Sequence, residues 1–442
     1  MSLLTLGRAP KACGLGVHRV VSAAQTLRRV RPLMRTVGVT RVADITGMDR
    51  IGIPTYSAVV PDSKDVLSVY NGKGARKIDA QVGAVMEAIE RYSALGLEQP
   101  LVHGSYAELS RHRRALHPRA VVLGMHPEYD DAKELAWVTG TDLMDPGEVL
   151  VPAQAVQILF DDALGHPCYT FSTTNGLASG NTLEEAVCHA LCELIERDAW
   201  TLAKLLVQYL PRARAKLAGE GATAVVAEDD VERYPCVDPS DAGPKVGRLL
   251  RRFERAGLSV LLRDITSDLG IPVVLATLAD ELSGPDPMAH FGLGAHPDAE
   301  VALVRALTEV AQSRATDIQA VREDLAAPGA SAHPFASHTR RVKAINRASW
   351  FHRPSSRRRR ASELPTQRHA DVLDDIHVML RALRGAGLGP AVAVDLTRRE
   401  LGVPVVRVLV GGAESWAADD GRLGRRALAK WRENGGPLWT EP

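Results

Sequence analysis

Cysteine is scarce in this sequence. Five residues in 442 (Cys13, Cys168, Cys188, Cys192 and Cys236) are too few and too scattered for a disulfide framework, which points to a reducing cytoplasm. Long apolar runs are lacking too. None approaches the ~20 residues that span a bilayer, and the longest, such as Ile271–Ala279, have strand length, so no membrane partner is expected. Neither charge sign dominates: 54 basic residues face 53 acidic ones, a balance without the field that draws a chain onto nucleic acid or anionic lipid. There is no Walker A loop and no kinase signature, so any nucleotide must be held by a non-standard site. What is present, 45% hydrophobic and 24% charged residues with a mean hydropathy of −0.08, is the composition of a soluble globular protein.

One absence is local. The first 35 residues carry seven basic side chains and no acid, yet lack the apolar region and cleavage site of a targeting signal. They read as a basic segment, 1–36, at the front of the fold. Beyond it, strand-like pieces at Val37–Val42, Gly47–Gly52 and Pro54–Val60 precede a helix at 76–95. Gln154–Phe160 looks helical. A polar loop, Ser172 to Asn181, feeds a second long helix at 182–208. Later come a helix at Val246–Ala256, strands at Leu258–Asp264 and Ile271–Ala279, and a Gly-rich loop, Gly292-Leu-Gly-Ala-His296, opening a third long helix at 298–322. A helix at Val372–Ala386 and strands at Ala391–Leu396 and Val403–Val410 close the pattern. The stretches 211–245 and 328–368, rich in Pro, Ala or Arg, read as surface excursions, with Arg357–Arg360 as a solvated loop. Alternating helices and strands predict an α/β (α+β) fold of mixed sheets packed by long helices.

One internal echo stands out. Asn71-Gly-Lys-Gly leads to Met86-Glu-Ala-Ile-Glu-Arg91, and Asn175-Gly-Leu-Ala-Ser-Gly leads to Cys192-Glu-Leu-Ile-Glu-Arg197. Both are Gly-containing loops feeding a helix with Glu-x-x-Glu-Arg, which a tandem duplication explains. At 100° per residue, Ile78, Val82, Val85, Ile89 and Tyr92 share one face of the first helix; Glu87, Glu90 and Arg91 lie opposite, beside Ala80, Gly83 and Ala84, small residues that leave room for a ligand. On the second, Leu183, Val187, Leu191 and Leu194 form the apolar stripe, and Glu185, His189, Glu193, Glu196 and Arg197 the polar sector. On the third, Arg305, Glu309 and Gln312 share the polar face. Each face alone also reads as an ordinary solvated surface, and Glu185 reads as the partner of Thr182 in a capping box. Four glutamates repeated on two helices, however, suit a hard cation that bridges phosphates, Arg grips phosphate in a fork, and Lys73 adds a point charge. Cys188, His189 and Cys192 lie within one helical turn, but a structural zinc wants four ligands and no second paired cluster is visible; they read as small buried side chains and a helix-face histidine.

At these residues the sequence resembles the YcaO family of ATP-dependent peptide-backbone-modifying enzymes. The resemblance runs over about residues 36–415. It rests on Gly72-Lys-Gly…Met86-Glu-Ala-Ile-Glu-Arg-Tyr92, on Asn175-Gly-Leu-Ala-Ser-Gly-Asn-Thr-Leu-Glu-Glu-Ala…Cys192-Glu-Leu-Ile-Glu-Arg-Asp198, on Gly292-Leu-Gly-Ala-His…Arg305-Ala-Leu-Thr-Glu-Val-Ala-Gln-Ser-Arg314, and on Pro404-Val-Val-Arg-Val-Leu-Val410. It implies a catalytic domain at 37–415 and a tail at 416–442, with ATP and Mg²⁺ as cofactors. By position it implies Mg²⁺ coordination by Glu87, Glu90, Glu193 and Glu196, which with Arg197 are the catalytic set. Nucleotide contacts fall on Lys73, Asn181, Glu185, Arg197, Arg305 and Glu309, with Arg91 beside them. One departure is Gly83, where the family often has Ser.

The implied reaction phosphorylates an amide oxygen, so that phosphate leaves when a nucleophile attacks the amide carbon. Thr40–Pro54 together with Gln312–Asp324 looks most like the TfuA-associated, thioamide-forming members, in which sulfide is the nucleophile. The end of the chain, Gly-Gly-Pro-Leu-Trp-Thr-Glu-Pro442, departs from the Pro-x-Pro-x-Pro tail common in azoline-forming members. The expected partners are a ribosomally made precursor peptide or protein, a TfuA-type protein with a sulfide source, and a second copy of the chain, in the cytoplasm. The alternatives are an azoline-forming cyclodehydratase, an inactive nucleotide- or peptide-binding scaffold, and a carboxylate metallohydrolase, for which only His189 stands on the acidic faces.

Overall fold

The computed structural model describes residues 3–12, 18–121, 128–166, 169, 173–217, 228–279, 289–320, 350–415 and 423–437. Cys13, Cys168, His333, residues 321–324 of the thioamide-type motif and the ends of the tail at 416–422 and 438–442 lie outside these residues.

Three sheets are formed among the described residues. The first is an antiparallel β1-β2-β3 sheet of β1 (Arg41–Asp44), β2 (Thr55–Val59) and β3 (Val69–Lys73). The second has the order β4-β5-β13-β14-β7, with β6 also paired to β5: β4 (Val102–Ser105), β5 (Glu134–Asp142), β6 (Glu148–Pro152), β7 (Leu177–Ser179), β13 (Ala391–Asp395) and β14 (Val405–Val410). The third runs β11-β10-β9-β8-β12, from β8 (Cys236–Asp238), β9 (Val260–Asp264), β10 (Val273–Ala279), β11 (Ala289–Ala295) and β12 (Arg358–Arg360).

Helices α1 (Ala23–Val30), α2 (Met34–Val37), α3 (Lys77–Ala94), α4 (Tyr106–Leu109), α5 (Leu183–Lys204), α6 (Leu210–Leu217), α7 (Glu228–Glu232), α8 (Pro244–Arg255), α9 (Ala299–Ala320), α10 (Val372–Gly385) and α11 (Arg425–Glu433) pack on these sheets. Sequence-level start signals hold at α5, where the Thr182 hydroxyl accepts from the Glu185 amide at 3.3 Å, and at α8, which begins with Pro244. Helix α5 is no half-solvated surface helix. Its apolar side and much of its polar side, including Glu185, Glu196 and Asp198, are buried, because sheet strands cover it on one side and α10 on the other.

Several sequence expectations change here. Gln154–Phe160 is not a helix; only Ala153–Ala155 makes a 3-10 turn. Within 211–245, Cys236–Asp238 is an inner strand of the third sheet. Within 328–368, residues 350–368 pack into the fold. Trp350 is fully buried, stacked on Trp200 with ring centroids 5.9 Å apart, and the arginine run forms β12, parallel to β8. The run is tolerated in a strand because its charges are answered. The Arg357 guanidinium donates to the Glu232 carbonyl at 2.9 Å, Arg358 is exposed to solvent, Arg359 meets Asp264 at 2.5 Å and Arg360 meets Glu363 at 3.2 Å.

The two Gly-rich "loops" at 71–74 and 292–296 are largely strands, β3 and β11. Their glycines serve contact with a helix. A Cβ on Gly72 would lie 2.1 Å from the Ala80 carbonyl oxygen and the Ala84 amide nitrogen. One on Gly292 would lie 2.3 Å from the Val310 nitrogen, and one on Gly294 2.1 Å from the Ala302 oxygen. Gly180, just after β7, would place its Cβ 2.5 Å from the Ala186 nitrogen on α5. Backbone lies on backbone, where only hydrogen fits. The echo seen twice in the sequence is therefore a strand-on-helix unit used three times: β3 on α3, β7 on α5 and β11 on α9.

Candidate active site

The three units aim the polar faces of α3, α5 and α9 at one another. From α3 come Glu87 and Glu90, from α5 Glu193, Glu196 and Arg197, from α9 Arg305 and Glu309, and from β3 Lys73. Backbone donors supplied by the strands orient the carboxylates. The Ser179 amide and hydroxyl donate to Glu90 Oε2 at 2.8 and 3.2 Å. The Gly176 amide donates to Glu193 Oε2 at 3.2 Å, and the Leu293 amide to Glu309 Oε1 at 3.2 Å. Lys73 Nζ is 2.7 Å from the other Glu309 oxygen. Arg197 stands 3.6 Å from both Glu193 and Glu196. The Arg305 side chain makes no hydrogen bond or ion pair among the described residues; its backbone carbonyl accepts from the Thr308 hydroxyl at 3.0 Å.

The electrostatics are those of a carboxylate cluster short of cations. Burial, only partly offset by Lys73 and Arg91, pushes the Glu87 carboxyl up to about 7, with Glu193 adding repulsion. Burial and the charges of Glu87 and Glu193 hold Glu90 well above its ordinary range. Burial also raises Glu193 against the pull of Arg197, and raises Glu196 to about 7. Glu309 is the exception. Burial works against its charge, but Lys73 and Arg197 hold its carboxyl below the usual value. Glu196 Oε2 is buried with no hydrogen-bond partner among the described residues. An unpartnered buried carboxylate oxygen within an all-oxygen donor set is what a hard cation such as Mg²⁺ fits.

Not every expected residue joins this group. Arg91 points away. Its Nε is 2.6 Å from Asp65 Oδ2, with the two side chains 10% and 0% exposed, and its guanidinium lies 5.9 Å from the Tyr70 ring centroid. The room expected beside Ala80, Gly83 and Ala84 is filled by β3 and not by a ligand. A Cβ on Gly83 would sit 3.3 Å from the Gly72 Cα, which accounts for glycine at that position.

Asn181 and Glu185 are engaged by the N-terminal segment. Thr26 donates to the Asn181 carboxamide oxygen at 2.8 Å, and Arg29 to the Asn181 carbonyl at 2.9 Å. The Val20 amide and Arg19 donate to Glu185 at 2.6 and 3.2 Å, and Asn181 donates to it from its backbone and its side chain at 2.9 and 2.8 Å. Glu185 thus secures residues 19–20 and Asn181 in place of closing a capping box. The basic front segment is accordingly part of this wall.

Sequence reasoning missed Arg19, Val20, Thr26, Asp65 and the amides of Gly176 and Ser179. The last two stand inside the quoted Asn-Gly-Leu-Ala-Ser-Gly string, so a signal existed; the first four carried none. The two stretches singled out as thioamide-type also meet. Arg314 on α9 pairs with Asp49 at 3.1 Å, both side chains less than a tenth exposed, and Gln312 donates to the Asn71 carbonyl at 2.9 Å. Cys188 and Cys192 are free and buried, as expected, and His296 joins them within 4.8 Å. His296 Nδ1 accepts from the Asp298 amide at 2.9 Å, which leaves the ring proton on Nε2 and no lone pair there for a metal.

Known proteins are similar to this chain in sequence and fold. Residues 71–414 match the family model described as YcaO cyclodehydratase, ATP- and Mg²⁺-binding. An uncharacterized protein of Methanothermobacter thermautotrophicus is 37% identical over 410 residues, 92% of this chain and 98% of that one. An uncharacterized protein in the tfuA 3′ region of Rhizobium leguminosarum bv. trifolii is 32% identical over 403 residues, 90% of this chain and 88% of that one. Among solved structures, YcaO from Methanopyrus kandleri bound with AMPPCP and Mg²⁺ superimposes with a TM-score of 0.67 at 29% identity, covering 92% of this chain and 95% of that chain. The chain belongs to the YcaO family, whose members are ATP-dependent and bind ATP and Mg²⁺.

Proposed function

We propose that this chain uses ATP to phosphorylate a backbone amide oxygen of a ribosomally made peptide or protein, and that sulfide then displaces the phosphate to leave a thioamide. The observation that carries the ATP step is the convergence of Glu87, Glu90, Glu193 and Glu196 from two helices in one cation-deficient pocket. These four carboxylates would hold Mg²⁺, which when bound would neutralise phosphate oxygens and support charge on the group in transfer. Arg197 and Arg305 grip phosphate oxygens in a fork. Lys73 adds a point charge whose position is set by Glu309. The amide oxygen attacks the terminal phosphorus with loss of ADP; sulfide adds to the amide carbon; the carbon–oxygen bond breaks and phosphate departs. Asn181 and Glu185 shape the wall between this site and the N-terminal segment.

The sulfide reading is supported by the Thr40–Pro54 and Gln312–Asp324 resemblance and by the tfuA-region location of a relative. On this reading a TfuA-type partner supplies or presents the sulfide, and the working unit is a homodimer. A second reading, azoline formation by a Cys, Ser or Thr side chain, is favoured by the cyclodehydratase description of the family.

Mass spectrometry of a precursor peptide co-expressed with the chain separates the two. Oxygen-to-sulfur exchange raises the peptide mass, whereas azoline formation lowers it by one water; the gain is expected, and a water loss overturns the sulfide reading. Glu193→Gln should abolish either change together with peptide-dependent ATP consumption. Full ATP consumption by that variant overturns the site.

A further inference from the structure

On the β4–β5 side of the second sheet, well outside the carboxylate pocket, β4 and residues 161–166 bring His103, Asp162 and His166 together. One ligand-capable atom from each lies within 4.8 Å of the other two. His166 Nδ1 is 2.8 Å from Asp162 Oδ2, while its Nε2 is 3.2 Å from Glu134 Oε2 on β5. The two imidazole centroids are 5.3 Å apart. Asp162 is held in place, its side chain 3% exposed and its Oδ1 accepting the Leu164 amide at 2.9 Å. The His103 ring makes no hydrogen bond among the described residues, although Asp162 and His166 each offer an atom within 4.8 Å of it.

Without a cation, a single proton shared by Asp162 and His166 is what holds this group. A cation in place of that proton would meet a ring nitrogen, a carboxylate oxygen and the His103 ring together. It would leave the His166 Nε2–H donating to Glu134. That is the carboxylate–histidine–metal order which fixes the tautomer and orientation of ligating imidazoles. Two nitrogen donors with one carboxylate select a borderline transition-metal ion over Mg²⁺. The partial exposure of the group leaves a fourth position for water.

We propose that His103, Asp162 and His166, oriented by Glu134, form a binding site for a divalent cation of the Zn²⁺ class. The cation clasps residues 161–166 to β4.

The test is Co²⁺ titration of the chelator-treated full-length protein, followed by Zn²⁺ competition. One equivalent of Co²⁺ should give visible ligand-field bands without thiolate charge-transfer absorption; Zn²⁺ should remove them and excess Mg²⁺ should not. His103→Ala and His166→Ala should each weaken binding about a hundredfold or more, and Glu134→Gln, which leaves all three ligands in place, about tenfold. Circular dichroism keeps loss of fold distinct from loss of a ligand. His103→Ala should retain wild-type ATP consumption in Mg²⁺, so failure here leaves the proposed reaction untouched. Absence of the bands overturns the site. So does binding that survives both histidine substitutions, or that carries charge-transfer absorption and vanishes in Cys188→Ser.

Discussion

Arg91 and Arg197 hold the same place in two Glu-x-x-Glu-Arg strings, and tertiary contacts give them different work. Arg91 is sealed against Asp65 and Tyr70, while Arg197 leans between Glu193 and Glu196 at the open face of the site. Arg91→Ala should therefore cost about 3–5 kcal/mol of stability, because it strands a buried carboxylate, yet leave kcat of the folded fraction close to wild type. Arg197→Ala should leave stability nearly unchanged and lower kcat by about 10³-fold. Chemical denaturation and ATP turnover measure the two effects. Loss of kcat with unchanged stability in Arg91→Ala would return that residue to the phosphate site. The sequence shows that an arginine follows each glutamate pair. It cannot show which one meets Asp65, a partner 26 residues upstream on a loop without a pattern.

At the scale of elements, the glycines of β3 and β11 set how closely the helices approach. Periodicity placed α3, α5 and α9 within a few residues of their observed ends, because helix phase and caps are local properties. It misread the Gly-rich stretches as loops, because a strand pressed on helix backbone needs glycine for want of space and not for its freedom of turn. Gly292→Ala has nowhere to put its Cβ except into the backbone of α9. It should cost at least about 1–3 kcal/mol, with ATP turnover falling too as Leu293 and its hydrogen bond to Glu309 shift. Unchanged stability would mean that β11 and α9 are less closely apposed than described. The N-terminal segment makes the same point from the other side. Arg19 and Val20 reach Glu185 across more than 160 residues, and no local pattern marks such a contact.

For the whole molecule the useful quantity is the balance of protons and cations. The raised carboxyls of Glu87, Glu90, Glu193 and Glu196 bind protons in the folded, metal-free chain that the unfolded chain has already lost. Stability therefore falls as pH rises through the window from the ordinary carboxyl range to about 7 and above. Histidines act in the opposite sense at lower pH. Burial keeps His18, His189 and His296 neutral, and their contribution is complete once pH exceeds the ordinary histidine range. The interval from about pH 7.5 to 8.5 thus reads the carboxylates. In that interval the melting midpoint of the metal-free chain should fall. Mg²⁺ with a non-hydrolysable ATP analogue should raise it, adding about 2.7 kcal/mol of stability at a hundredfold excess over Kd, and raise it more at the upper end, where the carboxylates are ionised. Differential scanning fluorimetry measures both. A metal-free midpoint that rises with pH would contradict the cation deficit.

The sequence alone determined the long helices, the two glutamate pairs on their polar faces, Lys73, Arg305 and Glu309 as companions, and the family. Each of these rests on spacing within a few turns or on a short contiguous motif. Tertiary structure decided which of the charged residues remain available. It put Arg91 against Asp65, bound Asn181 and Glu185 to the N-terminal segment, filled the space beside Gly83 with β3, and made an ordered strand of the arginine run. These outcomes depend on groups far apart in sequence competing for the same buried hydrogen bonds and ion pairs. Only the folded chain brings those competitors within reach of one another.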